Sequence, residues 1–291
     1  MHRIIFLSSI SILLCLHSFS QQQGKSQLRH FMQSAPSAAT AIQYGNNPKA
    51  GRYANAGDAK IYYEVYGKGN PVVVLHGGIF GSTYEMFQFI DSLKKNFQVI
   101  AISTRGHGKS SLGSEPITYE QKANDVMAVI NAVTTDSVTI LGFSDGAYTG
   151  YKIASMYPGK VRRLIAIGAT GLYPGLRNFT FDAKQGVALD SAYWKQQFTL
   201  MQEPQRLQEM FTLLGNMYNQ LTLGKVFFQT IQCPVLVMAG DRDQGNPPSR
   251  VVSTAEMIPH HQVAIIPNST HGVFLENFAA VWTCIVPFLK Q

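Results

Sequence analysis

Serine, histidine and aspartate recur in this chain in settings that suit acyl transfer. Ser144 sits in Gly142-Phe143-Ser144-Asp145-Gly146, with a glycine two positions to either side. A serine projected from the tip of a sharp strand-to-helix turn holds a strained backbone, and side chains two residues away would collide with it; glycine at 142 and 146 removes the obstruction. His271 follows in Asn268-Ser269-Thr270-His271-Gly272, and Asp241 and Asp243 stand in Gly240-Asp241-Arg242-Asp243. A serine hydroxyl is a weak nucleophile at neutral pH, so it needs a base to take its proton and an acid to orient that base. Ser144, His271 and one of the two aspartates can fill these roles. The pentapeptide alone is a weak signal, and the elements around it give it its meaning.

Val138, Ile140 and Leu141 are strand-like before Ser144, and Tyr151, Ile153, Ala154 and Met156 continue at helical spacing after it. Pro71 to Leu75 is a buried strand running into His76-Gly77-Gly78, Pro234 to Ala239 is a strand running into the two acids, and Val263 to Ile266 is the last strand before His271. Lys60 to Gly67 alternates around aromatic and β-branched residues after the turn Ala56-Gly57-Asp58, which predicts an opening antiparallel hairpin. Between the first two motifs, a helix over Thr83 to Lys95 precedes a strand over Phe97 to Ile102, and such units force a parallel sheet. A helix over Tyr119 to Val133, a strand over Val161 to Ile167 and a helix opened by Pro247 and Pro248 and running to about Met257 extend the alternation. The closing helix spans Val273 to Leu289, with an interruption expected near Pro287. Only between Gly171 and Thr230 does the alternation break, and there Pro204 opens a helix with Leu207, Met210, Phe211, Leu214, Met217, Tyr218 and Leu221 at the 3.6-residue period.

These motifs, in the order Ser, Asp, His, resemble the α/β-hydrolase superfamily over residues 52–290. Gly-Phe-Ser-Asp-Gly and Gly-Asp-Arg-Asp are most similar to the small single-domain esterases related to valacyclovir hydrolase. The resemblance implies a mostly parallel central sheet with helices on both faces and a helical lid at about 171–230. It implies Ser144 as nucleophile, His271 as base and Asp243 as the orienting acid in preference to Asp241, because the family's acid lies three residues beyond the glycine at 240. Oxyanion donors are then the amides of Gly78 and Asp145, with Ile79 as the near alternative to Gly78. His76 is read as shaping that turn. The Asp145 carboxylate, in the first turn of a helix, is read as helix-stabilising, while the resemblance offers recognition of a substrate amino group as the sharper alternative. Tyr173, Phe179, Phe181, Tyr193, Trp194 and Phe198 are lid aromatics able to line an acyl pocket, most of them expected to pack the lid on the core. Ser103 to Ser110 ends in Gly-Lys-Ser, yet lacks the glycine that a phosphate-binding loop needs five residues before Gly108. It resembles instead the family's Asp-x-Arg-Gly-x-Gly-x-Ser loop, with Ser103 replacing the aspartate. The activity implied is a serine hydrolase cleaving carboxylic esters of small or medium substrates through an acyl-enzyme, without metal or organic cofactor. A ligand-binding or receptor-like protein with slow turnover, and an acyltransferase, are the alternatives.

Composition sets outer bounds. The chain has 291 residues, 45% hydrophobic and 14% charged, which suits one large α/β domain. Its formal net charge of +7 is scattered, with no contact longer than pairs such as Lys94-Lys95 and no basic stripe interleaved with aromatics, which argues against a nucleic-acid partner. Met1-His2-Arg3, an apolar run to Leu16 and Ser18-Phe19-Ser20 read as a secretory signal peptide over residues 1–20. The expectation is export to a periplasmic or extracellular location, a mature terminus at Gln21 and no membrane span after cleavage. Residues 21–50, poor in bulky apolar side chains, read as a flexible leader before a hydrolase domain over 51–291. Cys233 and Cys284 allow one disulfide, but both positions suit small buried hydrophobes, and no cysteine or histidine spacing suggests a zinc site.

Overall fold

Alternation of apolar side chains along consecutive strands decides the architecture. The computed structural model describes residues 27–34 and 42–291; the signal peptide read at 1–20 lies outside the described residues. The strands are β1 (Gly51–Ala56), β2 (Ala59–Tyr66), β3 (Pro71–Leu75), β4 (Gln98–Ile102), β5 (Val138–Phe143), β6 (Val161–Ile167), β7 (Val235–Gly240) and β8 (His261–Ile266). They form one sheet in the order β1-β2-β4-β3-β5-β6-β7-β8. The hairpin of β1 and β2 pairs antiparallel, β2 meets β4 antiparallel, and every later pairing is parallel. The helices are α1 (Phe87–Leu93), α2 (Tyr119–Val133), α3 (Asp145–Met156), α4 (Ala183–Leu189), α5 (Ser191–Leu200), α6 (Leu207–Gln220), α7 (Lys225–Phe228), α8 (Pro248–Glu256), α9 (Val273–Glu276) and α10 (Phe278–Leu289).

Strands covered on both faces bury every residue, and the period of two sorts them between two cores. Val73, Leu75, Ile100, Ile102, Ile140, Val235 and Val237 join one core with Val126 and Ile130 of α2, Ile153 of α3 and Val251 of α8. Their neighbours Val72, Val74, Val99, Ala101, Leu141, Leu236 and Met238 join the other with Phe89 and Leu93 of α1 and Val281 and Ile285 of α10. Helices therefore cover both faces of a mostly parallel sheet. Between β6 and β7 the chain leaves the sheet for α4 to α7, and an antiparallel bridge of Leu172 to Leu223 closes the base of this excursion. Cys233 belongs to the first core and Cys284 packs against the second, and both are free thiols. Among the described residues no helix is long and apolar enough to cross a membrane.

Two expectations need correction. Residues 27–34 and 42–50, read from composition as part of a flexible leader, are docked on the body: Leu28 and Tyr44 are buried, Phe31 stacks on Phe80 at 4.3 Å, and Tyr44 donates to Asp91 at 2.6 Å. A few bulky side chains anchor a stretch whose average hydrophobicity is low. The closing helix breaks at Asn277, which caps α10 through Ala280 at 3.2 Å, and runs through Pro287. Pro287 falls in the last turn, where its missing N–H leaves the carbonyl of Thr283 without its helical donor but few helical bonds remain beyond it to be disturbed.

Candidate active site

The carboxyl ends of parallel strands are where an open α/β sheet leaves room for a ligand, and the chemistry-bearing loops gather there. Ser144 joins β5 to α3 with φ +50° and ψ −112°, a conformation rare outside glycine and costing on the order of 1–3 kcal/mol. Its amide donates to the carbonyl of Ile167 at the end of β6, 2.7 Å away. Both flanking glycines are sterically required: a Cβ on Gly142 would stand 2.4 Å from the carbonyl oxygen of Gly146, and one on Gly146 would stand 2.5 Å from that of Leu75.

His271, in the loop after β8, comes to this turn from the other side. Ser144 Oγ donates to His271 Nε2 at 2.9 Å, and His271 Nδ1 donates to Asp243 Oδ2 at 2.7 Å, the tautomer being the one the carboxylate demands. The buried Asp243 also accepts from the amides of Gly245 at 2.9 Å and Asn246 at 3.0 Å and from Asn246 Nδ2 at 3.1 Å. Burial alone would raise its pKa, but the hydrogen bond and charge of His271 and the Asn246 donors outweigh burial and hold it below the ordinary 3.8. Asp241 braces the loop instead: its Oδ1 accepts from the Ser269 amide at 3.1 Å, and among the described residues the acid that His271 bonds is Asp243. Such a line can take the Ser144 proton and return it.

The amide of Asp145 opens α3 ahead of the helical ladder, which starts with Ala147 donating to the Ser144 carbonyl. Gly78 stands beside it, since a Cβ on Gly78 would lie 3.1 Å from that of Asp145. His76 stiffens the glycine turn without facing the cavity: Nδ1 donates to the Gly77 carbonyl at 2.7 Å and Nε2 accepts from the Thr104 amide at 3.0 Å. Burial and the neighbouring His107 press its pKa to about 3, so it stays neutral. Glu85, which sequence reasoning missed, accepts from the Gly77 amide at 2.6 Å, and burial raises its carboxyl to about 8. The folded chain thus keeps a proton that the unfolded chain loses near the ordinary 4.5, and this group's contribution to stability falls as pH rises from 4.5 to about 8. Glu85→Gln, shaped like the neutral acid, is expected to remove that fall, at about 1.4 kcal/mol per pH unit for the full effect. Urea unfolding at pH 5, 7 and 9 measures it, and parallel stability curves for the two proteins would refute it.

With this geometry in place, comparison with known proteins supports the same fold. A family profile described as the alpha/beta hydrolase fold matches residues 71–208. The chain has the α/β-hydrolase fold. A putative carbamate hydrolase of Azorhizobium caulinodans is 25% identical over 76% of this chain and 91% of its own. The human serine hydrolase BPHL is 24% identical over 82% and 86%. Among solved structures, a serine hydrolase of carbazole degradation, the CarC enzyme, superposes with a TM-score of 0.71 at 23% identity over 82% of this chain and 98% of its own.

In this α/β-hydrolase fold a cavity of about 900 Å³ opens over Ser144. Of the lid aromatics, Phe179 and Phe181 line it. Tyr193 and Trp194 are buried in the packing, as expected for most of the set: Tyr193 donates to the carbonyl of Phe80 at 2.9 Å and Trp194 Nε1 to that of Gly186 at 3.0 Å. Phe198 packs against the first core, and Tyr173 is exposed. Phe31, Phe80, Tyr148 and Arg177 line the cavity without having been singled out from sequence: Phe31, Phe80 and Arg177 lie in loops that carry no period, and Tyr148 on α3 reads as one more core aromatic. The amine-binding role for Asp145 does not fit. Its carboxylate forms a buried ion pair with Lys122, so the negative charge that would receive an ammonium group is already neutralised. Lys122, on α2, lacked any signal beyond being a lysine on a face otherwise buried.

Proposed function

We propose that the protein is an exported serine hydrolase that cleaves carboxylic esters of small or medium substrates through an acyl-enzyme. The observation that carries this is the continuous line from Asp243 through His271 to Ser144 Oγ at a cavity large enough for such a substrate. Ser144 Oγ attacks the ester carbonyl while its proton passes to His271 Nε2. Asp243 stabilises the imidazolium, and the amides of Asp145 and Gly78 receive the developing oxyanion. Collapse expels the alcohol with the proton from His271, and a water activated by the same histidine releases the acid. The relatives' names, a carbamate hydrolase and a serine hydrolase, agree with cleavage at a carbonyl carbon.

The test is a panel of short and long 4-nitrophenyl esters, assayed with and without a serine-reactive phosphonate. Turnover abolished by stoichiometric labelling is expected. Labelling or ester binding with no turnover would identify a receptor-like protein, and transfer of the acyl group to an added alcohol in preference to water would identify an acyltransferase. Export rests on the basic head and apolar run of residues 1–16. Mass spectrometry of the exported protein should find a terminus at Gln21, and an intact Met1 in that fraction would overturn it.

A further inference from the structure

The cavity over Ser144 is lined by three carboxyl groups, and each is already answered. Asp243 is held by His271 and Asn246, Asp145 is paired with Lys122, and Glu85 accepts from Gly77 while burial keeps it protonated to about pH 8. Three guanidiniums line the same cavity, those of Arg177, Arg242 and Arg250. None of the three forms an ion pair among the described residues. The cavity therefore carries an uncompensated positive charge beside apolar walls contributed by Phe31, Phe80, Phe179 and Phe181.

Arg177 is the best placed of the three. Its guanidinium lies over the rings of Tyr148 at 4.8 Å and Phe179 at 5.7 Å, and Nη2 donates to Tyr148 Oη at 2.7 Å. Tyr148 sits one helical turn beyond Ser144 on α3, and its hydroxyl is fixed by Thr170, donating to the carbonyl at 3.1 Å and accepting from the amide at 3.2 Å. Arg177 is thus positioned by a rigid element next to the nucleophile, with only one of its five N–H donors engaged among the described residues. Arg250 lines the same cavity as Tyr148 and Arg177. Arg250 Nη2 donates to the Gly245 carbonyl, while its Nη1 is buried without a partner. A buried guanidinium donor left unmade is costly, and a carboxylate is the group whose geometry matches a guanidinium fork. A mere latch between lid and body would need one arginine on one tyrosine, not a second with an empty donor and a third at the rim.

Resting on the hydrolase reading above, we propose that the preferred substrates are esters carrying a second, free carboxylate, such as monoesters of aliphatic dicarboxylic acids, bound by Arg177 with Arg250. The ester C–O bond breaks, water supplies the oxygen of the new acid, and the alcohol leaves with a proton. The remote carboxylate is unchanged. Amine-bearing esters would meet the guanidiniums and be rejected.

Three substrates of similar size separate the charges: monoethyl adipate, ethyl hexanoate and the ethyl ester of 4-(trimethylammonio)butanoate, each followed by acid release. In the wild type kcat/KM is expected to be about tenfold higher or more for the anion than for the neutral ester, with the cation lowest. Arg177→Gln should lower the anion-to-neutral ratio by about tenfold or more, and Arg177→Lys, which keeps a point charge, should retain part of it. A wild type without preference for the anion, or an Arg177→Gln ratio equal to that of wild type, overturns the proposal. If Arg177→Gln does not fold, inhibition of ethyl hexanoate hydrolysis decides: adipate should inhibit the wild type at well below the concentration needed for hexanoate, and equal potency overturns it. Should no ester be turned over, calorimetry of monoethyl adipate binding to the wild type and to Arg177→Gln separates the two readings. Binding lost with Arg177 would keep anion recognition and remove the hydrolase, and no binding to either protein would remove both.

Discussion

Ser144→Ala is expected to lower kcat by about 10⁴- to 10⁶-fold and to abolish labelling by a serine-directed phosphonate. Ser144 Oγ bonds the imidazole of His271 at 2.9 Å, and that oxygen is the only heavy atom of residue 144 that the substitution removes. Alanine keeps the Cβ, so the strain at φ +50° is unchanged and the fold should survive. Loss of activity would then report chemistry and not unfolding, with an unchanged circular dichroism spectrum as the control. The activity left should come from the oxyanion donors and substrate binding, which the substitution does not touch. Labelling that persists in Ser144→Ala would move the nucleophile elsewhere.

Much of this arrangement was legible from residue types because its determinants are local. Helix α2 and strand β6 begin and end at the residues where their apolar periods do, and the glycines around Ser144 announce a turn whose steric demands only glycine meets. Glycine at 240 likewise marks the end of β7 ahead of the two acids. What stayed hidden is what depends on distant partners. Asp145 was read as facing either the helix or a substrate amine, and it faces Lys122 from a different helix. Glu85 carried no signal in the sequence, and only burial beneath the glycine turn makes it a proton-bearing support. Phe31 could not be assigned to the cavity, since its stacking on Phe80 depends on a docking path that the intervening polar residues do not announce. Local pattern thus located Ser144, His271 and Asp243, whereas the charge around them emerged only from tertiary pairing.

Between the two acids after β7, Asp243→Asn is expected to lower kcat on the order of 10⁴-fold, and Asp241→Asn far less. The two differ in what an amide would do in their place. At 243 the carboxylate accepts from His271 Nδ1 at 2.7 Å and from the donors of Gly245 and Asn246, so its orientation is fixed. An asparagine there can present its own N–H to Nδ1, which forces the imidazole to carry its proton on Nε2. That tautomer points an N–H at Ser144 Oγ and cannot take the hydroxyl proton. The asparagine also carries no charge to stabilise an imidazolium. At 241 the side chain accepts one bond from the Ser269 amide at 3.1 Å, and an asparagine carbonyl accepts the same bond. The loop that delivers His271 therefore keeps its support, and the loss should stay within about tenfold, the range of one surface hydrogen bond. The comparison requires that circular dichroism and thermal melting show both variants folded, because Asp243 is buried and Asp241 is not. A phosphonate should still reach Ser144 in both, but its labelling rate should fall with kcat in Asp243→Asn, since the same proton transfer activates the serine toward either electrophile. The opposite ranking of the two variants would transfer the orienting role to Asp241.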